Sequence, residues 1–268
     1  MGLDLNSVLQ QIDKAYMECN AQELDVILHE IINNALSEYD KSDLRRAVIL
    51  NELGGYYRHL FKIAEAEAAF QEAIEIQGAL RGVDNPDYAT SINNLAGLYR
   101  KSGEYEKSER LFLQAIAIYK ETLSEEHYLF SSCLNNLALL YQDMKRYEEA
   151  ASLYVRAGEI LQKKEDPEAQ VAYATSLNNL ATVYLKLKRF TESEALILDS
   201  LSIYEKRIGK ENALYASALN TLGSLYYAIG SYLKAKEAYL EALDICSRKL
   251  GTTHPDTVSL ENKLKMLG

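Results

Sequence analysis

The sequence predicts an all-α fold of stacked helical hairpins, and three observations carry that expectation. Only 3 prolines and 13 glycines punctuate 268 residues, fewer turn-forming residues than a strand-rich sandwich or barrel needs. A five-residue string recurs at Leu50-Asn-Glu-Leu-Gly54, Ile92-Asn-Asn-Leu-Ala96, Leu134-Asn-Asn-Leu-Ala138, Leu177-Asn-Asn-Leu-Ala181 and Leu219-Asn-Thr-Leu-Gly223, in steps of 42, 42, 43 and 42 residues. Apolar positions inside each copy follow the three- and four-residue spacing of amphipathic helices.

From the N-terminus, residues 1–42 read as a hairpin of blurred register, with Ile12, Ala15 and Tyr16, then Leu24, Ile27, Leu28, Ile31 and Ile32 as its apolar positions. A divergent first unit is what a repeat array places where one face meets solvent, so this segment is expected to be a cap. Residues 43–254 hold five units. Helix A of a unit carries positions such as Ile92, Leu95, Ala96 and Tyr99, with small residues at Gly54, Ala96, Ala138, Ala181 and Gly223 where a neighbour approaches closely. A break such as Ser102-Gly103-Glu104 follows, and helix B is marked by Ser108, Leu111, Phe112, Ala115 and Ile118, matched by Ala66, Ala69, Phe70, Ala73 and Ile76. Such a hairpin cannot bury its apolar faces alone, and stacking supplies the missing surface. Residues 255–268 are expected to be a capping helix, half a unit, because Leu264 falls in the column of Leu53, Leu95, Leu137, Leu180 and Leu222.

Composition narrows the function classes. Charged residues are 25% and hydrophobic residues 48%, which argues against both a disordered polymer and an integral membrane protein. The formal charge of −10 repels a phosphate backbone, so nucleic acid is not expected as a partner. The run Asn212 to Leu233 has no charge and is long enough to span a bilayer. Six polar side chains interrupt it and it lies in register with the repeat, so no membrane is expected either. Cys19, Cys133 and Cys246 form no close pair and read as reduced thiols. The start MGLDLNS lacks the basic and apolar regions of a signal peptide, and Asn6 stands where a myristoylation signal needs Ser or Thr, so a cytoplasmic location is expected.

The order of large apolar, Leu, small and Tyr in helix A, then Ala or Ser, aromatic and Ala in helix B, with breaks such as SGEYEKSE and MKRYEEAA, resembles the tetratricopeptide repeat. The 42-residue period, the LNNLA string and the segments Asp84-Asn-Pro-Asp87 and Thr253-His-Pro-Asp256 are similar to the variant of kinesin light chains and many bacterial proteins. The resemblance covers about residues 43–268 and implies a right-handed superhelix of tandem repeats. Kinesin members place a long coiled coil before their repeats and none precedes the repeats in residues 1–42, so a bacterial-type stand-alone member is the expected relative.

Catalytic patterns are missing: no Gly-rich phosphate loop, no H-E-x-x-H, no G-x-S-x-G. His29, His59, His127 and His254 lack ligand spacing and read as surface or capping residues, so no metal, cofactor or enzymatic activity is expected. Of the 20 tyrosines, 13 fall in four columns of the repeat, such as Tyr57, Tyr99, Tyr141, Tyr184 and Tyr226, and are expected between helices rather than on display.

The asparagines are the sharpest local signal. Asn51, Asn93, Asn135, Asn178, Asn220 and Asn262 fill one column, and Asn94, Asn136 and Asn179 fill the next in the middle units, where Glu52 and Thr221 stand at the ends. Asn favours caps and turns over helix interiors, so these amides are used. One use is a ladder between helices that fixes their stacking. The other is to grip the alternating C=O and N–H of an extended peptide, which the resemblance places in a concave groove lined by A helices. Arg58, Arg100, Lys101 and Lys186 lie just beyond the Tyr column, either as cations suited to helix C-termini or as contacts for an acidic ligand. Segments 44–61, 86–103, 128–145, 171–188 and 213–230 carry +5 between them, leaving −15 for the rest of the chain. The expected function is a non-catalytic scaffold binding an extended, acidic protein or peptide partner in that groove. The alternatives are a sensor that changes superhelix shape on binding a ligand and, last, an enzyme or enzyme scaffold. The sequence assigns no oligomeric state.

Overall fold

The computed structural model describes residues 4–18 and 21–267; Cys19 and the side chains of Tyr16 and Leu24 lie outside the described residues. Among the described residues there are thirteen α-helices and no strand, grouped in two compact units, Met1–Ser124 and Glu125–Gly268. The first holds α1 (Leu5–Glu18), α2 (Ala21–Glu38), α3 (Leu44–His59), α4 (Ile63–Arg81), α5 (Pro86–Ser102) and α6 (Tyr105–Thr122). The second holds α7 (Tyr128–Asp143), α8 (Tyr147–Leu161), α9 (Pro167–Lys186), α10 (Phe190–Ile208), α11 (Ala213–Ala228), α12 (Tyr232–Lys249) and α13 (Pro255–Lys265). Odd-numbered helices from α3 onward are A helices, and each but α13 is followed by its B helix. The chain is an all-α array of tandem hairpins.

The two helix types start differently. Every A helix has a side-chain N-cap: Asp43, Asn85, His127, Asp166, Asn212 and His254 each accept a backbone N–H two or three residues ahead, satisfying a donor that the first turn leaves open. Pro86, Pro167 and Pro255 follow at the first helical position, where a missing N–H costs nothing. B helices have no such cap and emerge instead from a fixed turn. Its central residue, Phe61, Gly103, Lys145, Lys188 or Gly230, takes a φ of 58 to 83°. The next N–H then bonds back to the carbonyl of Tyr57, Tyr99, Tyr141, Tyr184 or Tyr226 at 2.7–2.9 Å, closing helix A.

Small residues mark the closest helix contacts, as the sequence predicts. A Cβ on Gly54 would sit 2.6 Å from the Phe70 ring, and one on Gly223 would sit 2.5 Å from that of Tyr239. Val8, Ile12, Leu28 and Ile32 share one core with Leu50, Leu53 and Tyr56, so the first hairpin and the first repeat bury each other's apolar faces. At the other end, Leu260 of α13 packs with Leu219, Leu222 and Tyr239. Of the 13 column tyrosines, Tyr232 alone is exposed. The first column is roofed by cations from helix B or the turn before it: Lys62, Lys107, Arg146, Arg189 and Lys234 lie 3.8–5.6 Å from the rings of Tyr57, Tyr99, Tyr141, Tyr184 and Tyr226. Burial, with the Glu67 carboxylate that accepts its hydroxyl, pushes the Tyr99 pKa up to about 12. No described helix is long and apolar enough to cross a membrane, and the uncharged α11 is a core A helix with Leu219, Leu222 and Leu225 buried.

Candidate functional site

The asparagine column builds rungs between successive A helices. In the first unit Asn51 Nδ2 donates to Ser91 Oγ at 2.7 Å, and Ser91 donates to Gln77 Oε1 at 2.6 Å. In the second unit Asn135 Nδ2 donates to Ser176 Oγ at 2.8 Å, while that hydroxyl faces Asn135 Oδ1 at 3.0 Å and the Ala172 carbonyl at 3.1 Å. In both rungs the partner is the serine two residues before the column in the next A helix. Asn178 follows the same rule, but its counterpart is Ala218. It is 6% exposed and its Oδ1 is buried with no hydrogen-bond partner. For Asn220 the counterpart is Leu260, and Asn220 Oδ1 instead accepts from Lys263 Nζ at 2.7 Å. Asn93 is half-buried on α5.

The next column lies beside the rungs. Asn136 and Asn179, with Asn135, line a groove of about 760 Å³ between α7 and α9. Ser132 and Thr175 add hydroxyls, Leu139 and Leu161 add apolar wall, and Lys164, Asp166 and Glu168 stand at the end nearest the α8–α9 loop. Asn94, the equivalent residue in the first unit, donates to Asn51 Oδ1 at 3.4 Å.

The cations form two separate groups. In the first unit Arg58 Nη1 reaches the Asn94 carbonyl at 3.5 Å, and Gly97 leaves room for it, since a Cβ there would lie 2.9 Å from that nitrogen. Lys101 extends over the exposed Phe61 ring at 5.7 Å. Partial burial, then the charges of Arg58 and Arg100, hold the Lys101 pKa below the usual lysine range, so these three cations repel one another. In the second unit the exposed Lys186 is close enough to Lys263 to help burial depress the Lys263 pKa. Lys263 also donates to Ser224 Oγ at 3.2 Å and lies 5.2 Å from the Tyr239 ring.

Sequence reasoning missed Lys263 and the rung serines. Lys263 occupies the column of Asn94, Asn136 and Asn179, so the repeat grid carried the signal; the serines form no complete column, because Cys133 and Ala218 interrupt Ser91 and Ser176. Among the described residues no cluster of His, Cys, Asp or Glu could hold a metal. His127 and His254 are N-caps, as a capping reading of them expects.

The sequence model of the Tetratricopeptide repeat matches residues 45–121, 92–163, 129–206, 172–248 and 214–266. No curated protein matches the chain. Among solved structures, a kinesin light chain from Podosopora anserina with nearly identical TPR-like repeats is 24% identical, with a TM-score of 0.62 over 78% of this chain and 97% of that one. BtubC (BKLC) from P. vanneervenii is 21% identical, with a TM-score of 0.63 over 94% and 92%. A Rap protein complexed with Competence and Sporulation Factor is 16% identical, with a TM-score of 0.67 over 98% and 88%. At these identities the likeness is one of fold.

Proposed function

Because the chain belongs to the tetratricopeptide repeat family, whose fold is typical of protein-interaction modules, we propose that it is a non-catalytic scaffold holding an extended peptide or protein segment against its A helices. The groove between α7 and α9, where Asn135, Asn136 and Asn179 converge, is the observation that carries this reading. A carboxamide offers a donor and an acceptor side by side, the complement of an extended backbone. Asn51 and Asn135, through Ser91 and Ser176, set the helices in register, and Asn136 and Asn179 are the pair that grips the ligand. Asn94 takes the same role in the first unit, beside Asn93. The neighbouring like charges of Lys186 and Lys263, and the group of Arg58, Arg100 and Lys101, favour an acidic segment. That a protein of this fold has been solved with a factor bound supports the reading further.

The test is affinity for peptides of about ten residues selected from a random display library. Replacing Asn136 or Asn179 with Ala is expected to weaken every selected sequence about three- to tenfold, since each net amide hydrogen bond contributes about 0.5–1.5 kcal/mol. Arg100→Glu is expected to weaken acidic peptides alone, and the more so at low salt. If the double Asn136→Ala, Asn179→Ala variant keeps its helicity and binds the selected peptides unchanged, the groove is not the site.

A further inference from the structure

The five A–B turns form an internal comparison. Aligned on the repeat, residues 58–67, 100–109, 142–151, 185–194 and 227–236 carry formal charges of 0, 0, −1, +1 and +2, and only the last contains no Asp or Glu. Where the earlier turns place Ala64, Glu106, Glu148 and Thr191, this one has Leu233; where they place Arg58, Arg100, Gln142 and Leu185, it has Tyr227. The structure leaves these substitutions in solvent. Tyr227, Ile229, Tyr232 and Leu233 are 39%, 45%, 58% and 81% exposed, and Leu233 is the most exposed large apolar residue among those described. The rings of Tyr227 and Tyr232 meet edge to face at 5.6 Å, joining the patch into one surface. Lys234 and Lys236 follow directly, the first with Nζ 5.3 Å from the Tyr226 ring. Packing of α11 explains most of the uncharged run from Asn212 to Leu233, but not these last residues.

A contiguous apolar patch in solvent marks an interaction surface. This one projects from a hairpin tip and presents four exposed apolar side chains, well below the roughly 20–30 residues a side of a stable protein interface. A protruding leucine needs a matching cavity in a protein partner, whereas a bilayer interface accepts it as it stands. Tyrosine seats its ring below the headgroups and its hydroxyl among them, and lysine lays its methylenes along the apolar zone with the ammonium outside. We propose that the α11–α12 turn is a peripheral anchor that seats Leu233, Ile229 and the two tyrosines in the interface of an anionic bilayer, with Lys234 and Lys236 against its headgroups. The contact is independent of the α7–α9 groove. It involves no membrane-spanning helix, and it departs from the sequence expectation that set membranes aside altogether.

The experiment is co-sedimentation of the full chain with vesicles of phosphatidylcholine alone and of about seven parts phosphatidylcholine to three of phosphatidylserine. Binding to the anionic vesicles and not the neutral ones is expected. Leu233→Asp, at a site too exposed to affect folding, is expected to lower the partition coefficient on the order of tenfold, since apolar burial and headgroup attraction both decline. Lys234→Gln is expected to lower it roughly fivefold, the share of one lysine near an anionic surface. Failure of the native chain to pellet with anionic vesicles overturns the proposal, as does unchanged binding by Leu233→Asp. So does a concentration-dependent dimer, seen by sedimentation velocity and abolished by Leu233→Asp, because the patch would then be covered by a second copy.

Discussion

Ala218→Ser tests the account of the asparagine rungs. Asn178 sits where Asn51 and Asn135 sit, and its neighbour lacks the hydroxyl that Ser91 and Ser176 provide. Ser91 and Ser176 are themselves almost wholly buried, as Ala218 is, so the column accommodates a hydroxyl. A buried acceptor left without a donor costs about 1–3 kcal/mol, and a hydrogen bond to it returns about 0.5–1.5 kcal/mol. Serine in a helix interior costs about half a kcal/mol relative to alanine. The expected net gain is therefore up to about 1 kcal/mol, or as much as roughly 4 °C in the thermal midpoint of a chain this size. Circular dichroism melts measure it, and native-state hydrogen exchange should show the added protection in α9 and α11. Asn178→Ala supplies the control, because the Ala218→Ser gain is expected to vanish in its background. A gain that survives Asn178→Ala, or a loss in the single variant, would refute the rung mechanism.

Other substitutions follow from the same geometry. Gly223→Ala is expected to cost about 1–3 kcal/mol, since its Cβ meets the core ring of Tyr239 at 2.5 Å. Gly158→Ala, where the nearest atom is 3.5 Å away, should instead stabilise by up to about 1 kcal/mol, and chemical denaturation of the pair separates packing from propensity. Lys145→Gly and Lys188→Gly, each at a φ of 61°, should raise the thermal midpoint, because glycine escapes the roughly 1–2 kcal/mol penalty of a left-handed residue and loses part of that gain to chain entropy. The raised pKa of Tyr99 sets an alkaline limit: the unfolded chain releases that proton near pH 10 and the folded chain near 12, so stability is complete below 10 and falls as pH rises between them, which melts across that window check.

Periodicity made the fold legible, because a 42-residue step repeats the same packing problem and residues such as Leu95, Ala96 and Phe112 answer it alike each time. Columns that recur in every hairpin, such as Tyr57, Tyr99, Tyr141, Tyr184 and Tyr226, were readable for the same reason. Partners that recur in only some units were not. Ser91 and Ser176 lie two residues from the asparagines they hold, yet Cys133 and Ala218 break the pattern, and only coordinates reveal the rung. Lys263 stands on α13 where the middle units carry Asn94, Asn136 and Asn179, so the column changes residue type at the end of the array. A groove is a volume between helices, and no linear pattern encodes it: the sequence nominated Asn136 and Asn179, and their shared opening between α7 and α9 emerges from the packing.

The contrast between capped A helices and turn-born B helices bears on how such an array lengthens. Each inter-repeat loop carries its own cap, and in three cases a proline beside it, so a segment running from one cap to the residue before the next brings every group its own ends require. Cutting at the A–B turn instead would sever the bond from Lys62, Glu104, Arg146, Arg189 or Ser231 to the tyrosine carbonyl, and would leave a B helix with no start of its own. Gene duplication, or an engineer adding a unit, therefore has one joint at which a splice leaves each A helix its own N-cap and each hairpin its A–B turn, and it lies at Asn85, His127, Asp166 and Asn212.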